Sequence, residues 1–155
     1  MTPHYISKEK NMAEFTSNAI QTIQVGQNVL LTDAPIPCNR GYVLQREGSG
    51  ILTLRGAVNS PCNGFARYKV SFGGNIAIPT GGTAEAISLA IAINGEPIPT
   101  SSMIVTPAAV EEYWNVYASI YVTIPRGCCY TIAIENTSTQ AINVQNVNVI
   151  VDRTV

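Results

Sequence analysis

The chain has 155 residues, of which 46% are hydrophobic and only 12% charged, with a formal net charge of −1. That length fits one domain able to bury its own core. The charged share is about half the usual one, so Asn, Gln, Ser and Thr must make up much of the polar surface. No run of Lys and Arg marks a nucleic-acid footprint or a polybasic membrane anchor, and no window of 18 or more apolar residues marks a spanning helix.

The first residues, Met1 to Asn11, are polar and mixed in charge and lack the apolar stretch of a secretory signal. Met12-Ala-Glu-Phe opens a different texture and is a second candidate start. Residues 1–12 are expected to form a flexible arm, and residues 13–155 a single domain.

Phe15 to Gln24 reads as a first strand and Val29 to Leu31 as a short second one, with Val25-Gly26-Gln27-Asn28 as turn chemistry between them. Thr32 to Arg40 carries Pro35 and Pro37 and is unsuited to a central strand. Tyr42–Arg46 and Ile51–Arg55 flank Glu47-Gly48-Ser49-Gly50 as a hairpin. Asn59 to Gly64 is a loop. Phe65 to Phe72 alternates, with Ala66, Tyr68, Val70 and Phe72 on one face, and Gly73-Gly74-Asn75 punctuates the chain after it. Ala86 to Asn94 alternates Ile87, Leu89, Ile91 and Ile93 against smaller residues. Asn94-Gly95 is the strongest hairpin signal, and Ile98 to Thr106 returns as its partner with edge-like prolines. Pro107 to Glu111 is one helical turn or a loop.

Glu112 to Pro125 is the longest clean alternation. Trp114, Val116, Ala118, Ile120, Val122 and Ile124 share one face; Tyr113, Asn115, Tyr117, Ser119, Tyr121 and Thr123 share the other. A strand of this length spans roughly 40 Å. Its two useful faces argue for a central position, with the inward face in the core. Pro125-Arg126-Gly127 turns the chain, and Tyr130, Ile132 and Ile134 continue it as a strand. Asn136 to Thr139 is a loop. In Ala141 to Val151 the phase switches: Ile142 and Val144 precede Val147, Val149 and Val151. That argues for a bulge near Gln145-Asn146, or for burial of both faces. No helical periodicity of three turns is present. The whole is all-β, an antiparallel sandwich or jelly roll of about eight to ten strands with no substantial helix.

Few residues carry chemistry. The only histidine, His4, lies in the arm, which removes the usual base of Ser or Cys nucleophiles and the His cluster of a cupin-like metal barrel. The four cysteines, Cys38, Cys62, Cys128 and Cys129, lack a Cys-x-x-Cys knuckle for zinc. Adjacent cysteines rarely bond each other. A Cys38–Cys62 disulfide, a cross-link to the Cys128-Cys129 pair, and free thiols all remain open. Gly73-Gly74 and Gly81-Gly82 do not open helices and read as turn glycines. Glu111-Glu112 reads as an exposed pair at a strand entry. Asp33, Glu47 and Asp152 form no ligand-dense calcium loop. No cofactor, metal site or catalytic residue is expected. The tyrosines Tyr113, Tyr117 and Tyr121 either lie between the two sheets or line a subunit interface, with the interface favoured. Gln145, Asn146 and Asn148 either join that interface around an axis or form a solvated amide-rich strand.

The Ala92-Ile-Asn-Gly95 turn, the aromatic strand and the Ile124-Pro-Arg-Gly127 turn before the penultimate strand resemble the trimeric jelly roll of the tumour necrosis factor and complement globular-head superfamily, most of all its bacterial spore-surface versions. Phe15 to Gln21, Arg46 to Gly50 and Asn136 to Asn146 also resemble small head-associated, decoration-type proteins of phages and prophages of gut Firmicutes. The chain lacks a collagen-like stalk and a membrane anchor, which favours docking on a particle. The resemblance implies a non-enzymatic structural protein. It would be a homotrimer on a phage or phage-like capsid, with the major capsid protein as partner, no nucleic acid or membrane, and a virion-surface location. The alternative is a trimeric cell- or spore-surface module that binds carbohydrate or a receptor.

Overall fold

A computed structural model describes residues 12–37, 41–56 and 64–154. The strands are β1 (Met12–Ser17), β2 (Gln21–Ile23), β3 (Asp33–Ile36), β4 (Val43–Gln45), β5 (Leu52–Arg55), β6 (Phe65–Ala77), β7 (Ile87–Ile93), β8 (Glu96–Pro97), β9 (Met103–Val105), β10 (Trp114–Pro125), β11 (Cys129–Asn136) and β12 (Ile142–Arg153). Pro99–Ser101 forms a short 3-10 turn. One sheet runs β10-β6-β12-β1-β3, with β2 also on β12; the other runs β4-β5-β11-β7-β8, with β9 also on β7. The all-β sandwich is thus as expected, with twelve strands because several are very short.

The two sheets face each other across an apolar core. Tyr68, Val70, Phe72 and Ile76 of β6, Leu89 and Ile91 of β7, Ile132 and Ile134 of β11, and Val144, Val149 and Val151 of β12 are all buried. Tyr68, fully buried, puts a large polar side chain into this core. Its hydroxyl donates to the Arg55 carbonyl at 2.6 Å, which satisfies the buried phenol. Asn136, also fully buried, donates from Nδ2 to the carbonyls of Ile23 and Gln140 and accepts from the Ser138 N–H, tying β2 to β11.

Three local expectations fare differently. The phase switch in β12 is a bulge: its register on β6 shifts between Gln145 and Asn148, and Asn146 adopts φ 52°. The extra residue returns Val144, Val147, Val149 and Val151 to the same buried face. The turn Asn94-Gly95 has φ 53° and 83°, the paired left-handed geometry that a two-residue hairpin needs. Gly73-Gly74, by contrast, does not end a strand. β6 runs on for 13 residues to Ala77. A Cβ at Gly74 would lie 2.9 Å from Val147 Cγ1, and one at Gly73 would lie 3.0 Å from Asn148 Oδ1. These glycines make room for the bulge next door.

The expected strand Phe15–Gln24 splits into β1 and β2, and Val29–Leu31 is no strand; its neighbour Asn28 makes a lone bridge to Glu135. The return segment after Asn94-Gly95 breaks into β8, the 3-10 turn and β9. Met12, counted with the arm, opens β1 opposite Asp152; residues 1–11 lie outside the described residues.

Candidate functional site

The long alternating strand is not central. Among the described residues β10 pairs with β6 alone and forms the rim of its sheet. Its inward face is therefore covered unevenly. Val116, Val122 and Ile124 are buried, Ala118 and Ile120 are half-buried, and Trp114 is 46% exposed. The alternation places Trp114 in the core, and the structure does not. It sits at the start of the rim strand, and its indole N–H donates to Glu112 Oε1 at 2.9 Å.

The register builds the outward face of this sheet row by row. Tyr117 lies beside Gly73, then Asn148, then Thr16. Ser119 lies beside Ser71, Ile150, Glu14 and Ile36. Tyr121 lies beside Lys69, Asp152 and Met12. Above these, Asn115 lies beside Asn75 and then Gln145. Short polar bonds cross the rows: Ser71 and Ser119 share one at 3.1 Å, Asn115 Nδ2 donates to Asn75 Oδ1 at 3.1 Å, and Arg67 Nε donates to Thr123 Oγ1 at 3.1 Å.

Tyr117 and Tyr121 are 64% and 63% exposed, an unusual display for two neighbouring aromatic side chains on one strand. Neither lies between the sheets. Gly73 beside Tyr117 offers no side chain, and the space above it is approached by Asn148 Oδ1 and the edge of the Tyr117 ring. The hydroxyls of Ser71 and, less strongly, Ser119 stabilise the Tyr117 phenolate, and the charge of Lys69 helps, so its pKa lies below the ordinary 10.0.

The six residues singled out for an interface are thus only partly together. Tyr117, Tyr121, Gln145 and Asn148 share the outward face. Asn146 is exposed in the bulge. Tyr113 precedes β10, half-buried, with its hydroxyl buried and without a hydrogen-bond partner among the described residues. Cys38 and Cys62 lie outside the described residues, while Cys128 and Cys129 are free and exposed in the β10–β11 turn region. Among the described residues, no group of three or more His, Cys, Asp or Glu side chains is arranged to hold a metal.

No protein-family model matches the sequence, and no curated protein does. Solved structures do match over nearly the whole chain. The Eiger TNF of S. frugiperda aligns with TM-score 0.67 at 8% identity, over 93% of this chain and 92% of that one. Murine APRIL (pH 8.5) aligns with TM-score 0.59 at 11% identity, over 91% and 97%. The globular domain of zebrafish complement 1qA aligns with TM-score 0.56 at 11% identity, over 94% and 96%. The fold is a tumour necrosis factor/complement 1q-like jelly roll. At such identities the likeness is one of backbone architecture. It identifies no residue role, so the site rests on this chain's own surface.

One feature of that surface is invisible along the sequence. Arg55, Arg67, Lys69, Arg126 and Arg153 are scattered over three strands and a turn, yet the topology brings all of them to one end of the jelly-roll sandwich. Arg55 pairs with Cys129 at the start of β11, Arg67 and Lys69 pair with Thr123 and Tyr121 at the end of β10, and Arg153 closes β12 opposite Tyr68. Glu85, Glu111, Glu112 and Glu135 lie toward the other end, where β7 and β10 begin and β11 finishes. Asp152, cross-strand from Lys69, and Glu96, opposite Ile93, lie at the basic end as well and offset part of its charge.

Proposed function

We propose that the chain is a non-enzymatic structural protein that assembles as a homotrimer through the outward face of the β10-β6-β12-β1 sheet. The observation that carries this is β10: a 12-residue strand without a lysine, hydrogen-bonded among the described residues to β6 alone, with Tyr117 and Tyr121 bare on its outer face. Natural sheets protect such edges with charge, proline or cover; among the described residues β10 has the terminal Pro125 and the nearby Pro99–Ser101 turn and β9, and no further strand pairs with it. A second copy would supply the cover. The face of one copy and the rim of the next are different surfaces, and a head-to-tail contact of that kind closes into a ring when the rotation allows. Tyrosine suits this role because its ring buries area while its hydroxyl keeps a hydrogen bond.

The resemblance to head-associated phage proteins in Phe15–Gln21, Arg46–Gly50 and Asn136–Asn146 supports a trimer that decorates a phage or phage-like capsid, with the major capsid protein beneath it and the virion surface as its location. The N-terminal region, Met1 to about Gln24, would then contact the particle or neighbouring subunits. Mass spectrometry of purified particles made by the encoding genome should find the chain at a stoichiometry near that of a capsid site. Its absence from the particles would remove the capsid role and leave the assembly question intact.

A second reading, a trimeric surface module for carbohydrate or a receptor, is favoured by a hollow beside Tyr121 that is lined by an arginine and two threonines.

A further inference from the structure

At the basic end of the outward face lies a hollow of about 540 Å³ lined by Arg67, Tyr121, Thr123 and Thr154. Its volume falls in the range of small-ligand sites. The guanidinium of Arg67 is held from two sides: Nε donates to Thr123 Oγ1 at 3.1 Å, and the group packs over the Phe65 ring, 4.9 Å from its centroid. Thr154 fixes the backbone beneath it, donating from its N–H and its hydroxyl to the Arg67 carbonyl at 2.8 and 3.2 Å. The Nε bond and the ring hold the plane of the group, and its terminal N–H donors are positioned for a bidentate partner. Lys69, exposed, lies between Tyr121 on one side and Asp152 on the other, so its charge at the rim is offset by that carboxylate and Arg67 is the cation the hollow relies on.

These groups favour one ligand chemistry. A planar, oriented guanidinium pairs with a carboxylate. An exposed tyrosine ring offers an apolar plate with a polar tip. The hydroxyls of Thr123 and Tyr121 can both donate and accept, as sugar hydroxyls do. A polynucleotide would need cations spaced along a track and repeated aromatic platforms, whereas among the described residues one guanidinium and one exposed ring line this hollow.

We propose that the hollow is a binding site for an acidic saccharide, with the sugar carboxylate on Arg67 and a ring face on Tyr121. The inference rests on the surface-module reading and requires Tyr121 and Arg67 to stay uncovered, so an assembly that closes over Tyr121 is incompatible with it.

Isothermal titration of the purified full chain with trigalacturonate, with neutral galactotriose and with sodium sulfate tests it, with light scattering recorded on the same samples. Trigalacturonate should bind, and galactotriose and sulfate should bind at least about tenfold more weakly. Arg67→Gln and Tyr121→Ala should each weaken trigalacturonate by about tenfold or more, Arg67→Lys by less, and Arg46→Gln, at the far end of its hairpin, not at all. Circular dichroism confirms that each variant is folded, and Arg67→Lys keeps the test intact should Arg67→Gln unfold. No binding of trigalacturonate, equal binding of sulfate or galactotriose, or unchanged binding by Arg67→Gln overturns the proposal. A trimer that fails to bind defeats this inference alone, and a monomer that binds defeats the assembly alone.

Discussion

β6 and β10 lie side by side and carry the same alternating pattern, yet one is a structural centre and the other an exposed rim. β6 is flanked by β10 and β12 along its length, and every inward side chain from Ala66 to Ile76 is buried. Among the described residues β10 has a strand partner on one side, and its inward row includes the exposed Trp114, the half-buried Ile120 and the fully buried Ile124. Periodicity assigns faces to a strand; neighbours decide what each face is worth. The tyrosines of β10 gain their interest from that difference, because a rim position and an uncovered aromatic row coincide there.

The contrast can be broken by mutation. Phe72→Ala, at the centre of β6, should cost about 3–5 kcal/mol of unfolding free energy in a denaturant titration, since a large cavity opens where the two sheets meet. Gly74→Ala should cost about 1–3 kcal/mol, because the added methyl would press on Val147 in the β12 bulge; a neutral result would mean the bulge yields easily. On β10, Ile120→Ala should cost only about 1–2 kcal/mol, in keeping with its half-buried position. If it matched Phe72→Ala, β10 would be covered far better than its rim position indicates.

The smallest effect is a titration. Spectrophotometric titration of the tyrosines should show one, Tyr117, ionising below 10.0, and Ser71→Ala should move it back toward that value. The sign comes from linkage. A depressed phenol pKa means that the folded chain releases this proton more readily than the unfolded one, so ionisation adds stability as pH rises through the folded pKa, a contribution lost again as pH falls below it. Burial of Tyr117 between copies would oppose that ionisation, so assembly should weaken in the same alkaline window.

Much of the fold is legible in the sequence because the relevant signals are local. The hairpin at Asn94-Gly95, the bulge after Val144 and the β4–β5 hairpin each follow from a few adjacent residues. Position within a sheet is not local. Nothing in Glu112–Pro125 distinguishes a rim from a centre, so alternation alone sends Trp114 to the core. Gly73-Gly74 reads as a stop because its purpose lies in Val147 and Asn148, far along the chain. The basic end escapes the sequence for the same reason: Arg55, Arg67, Lys69, Arg126 and Arg153 form no run, and only the pairing of β5, β6, β10, β11 and β12 gathers them.

The central claim is that the bare face of β10 is an interface between copies. Size-exclusion chromatography with light scattering on the wild-type chain and on Tyr117→Asp tests it most directly. The wild-type mass should be three times the 16.6 kDa of one chain, and Tyr117→Asp should be folded and monomeric. A stable wild-type monomer, or a Tyr117→Asp variant that remains fully trimeric, would contradict it.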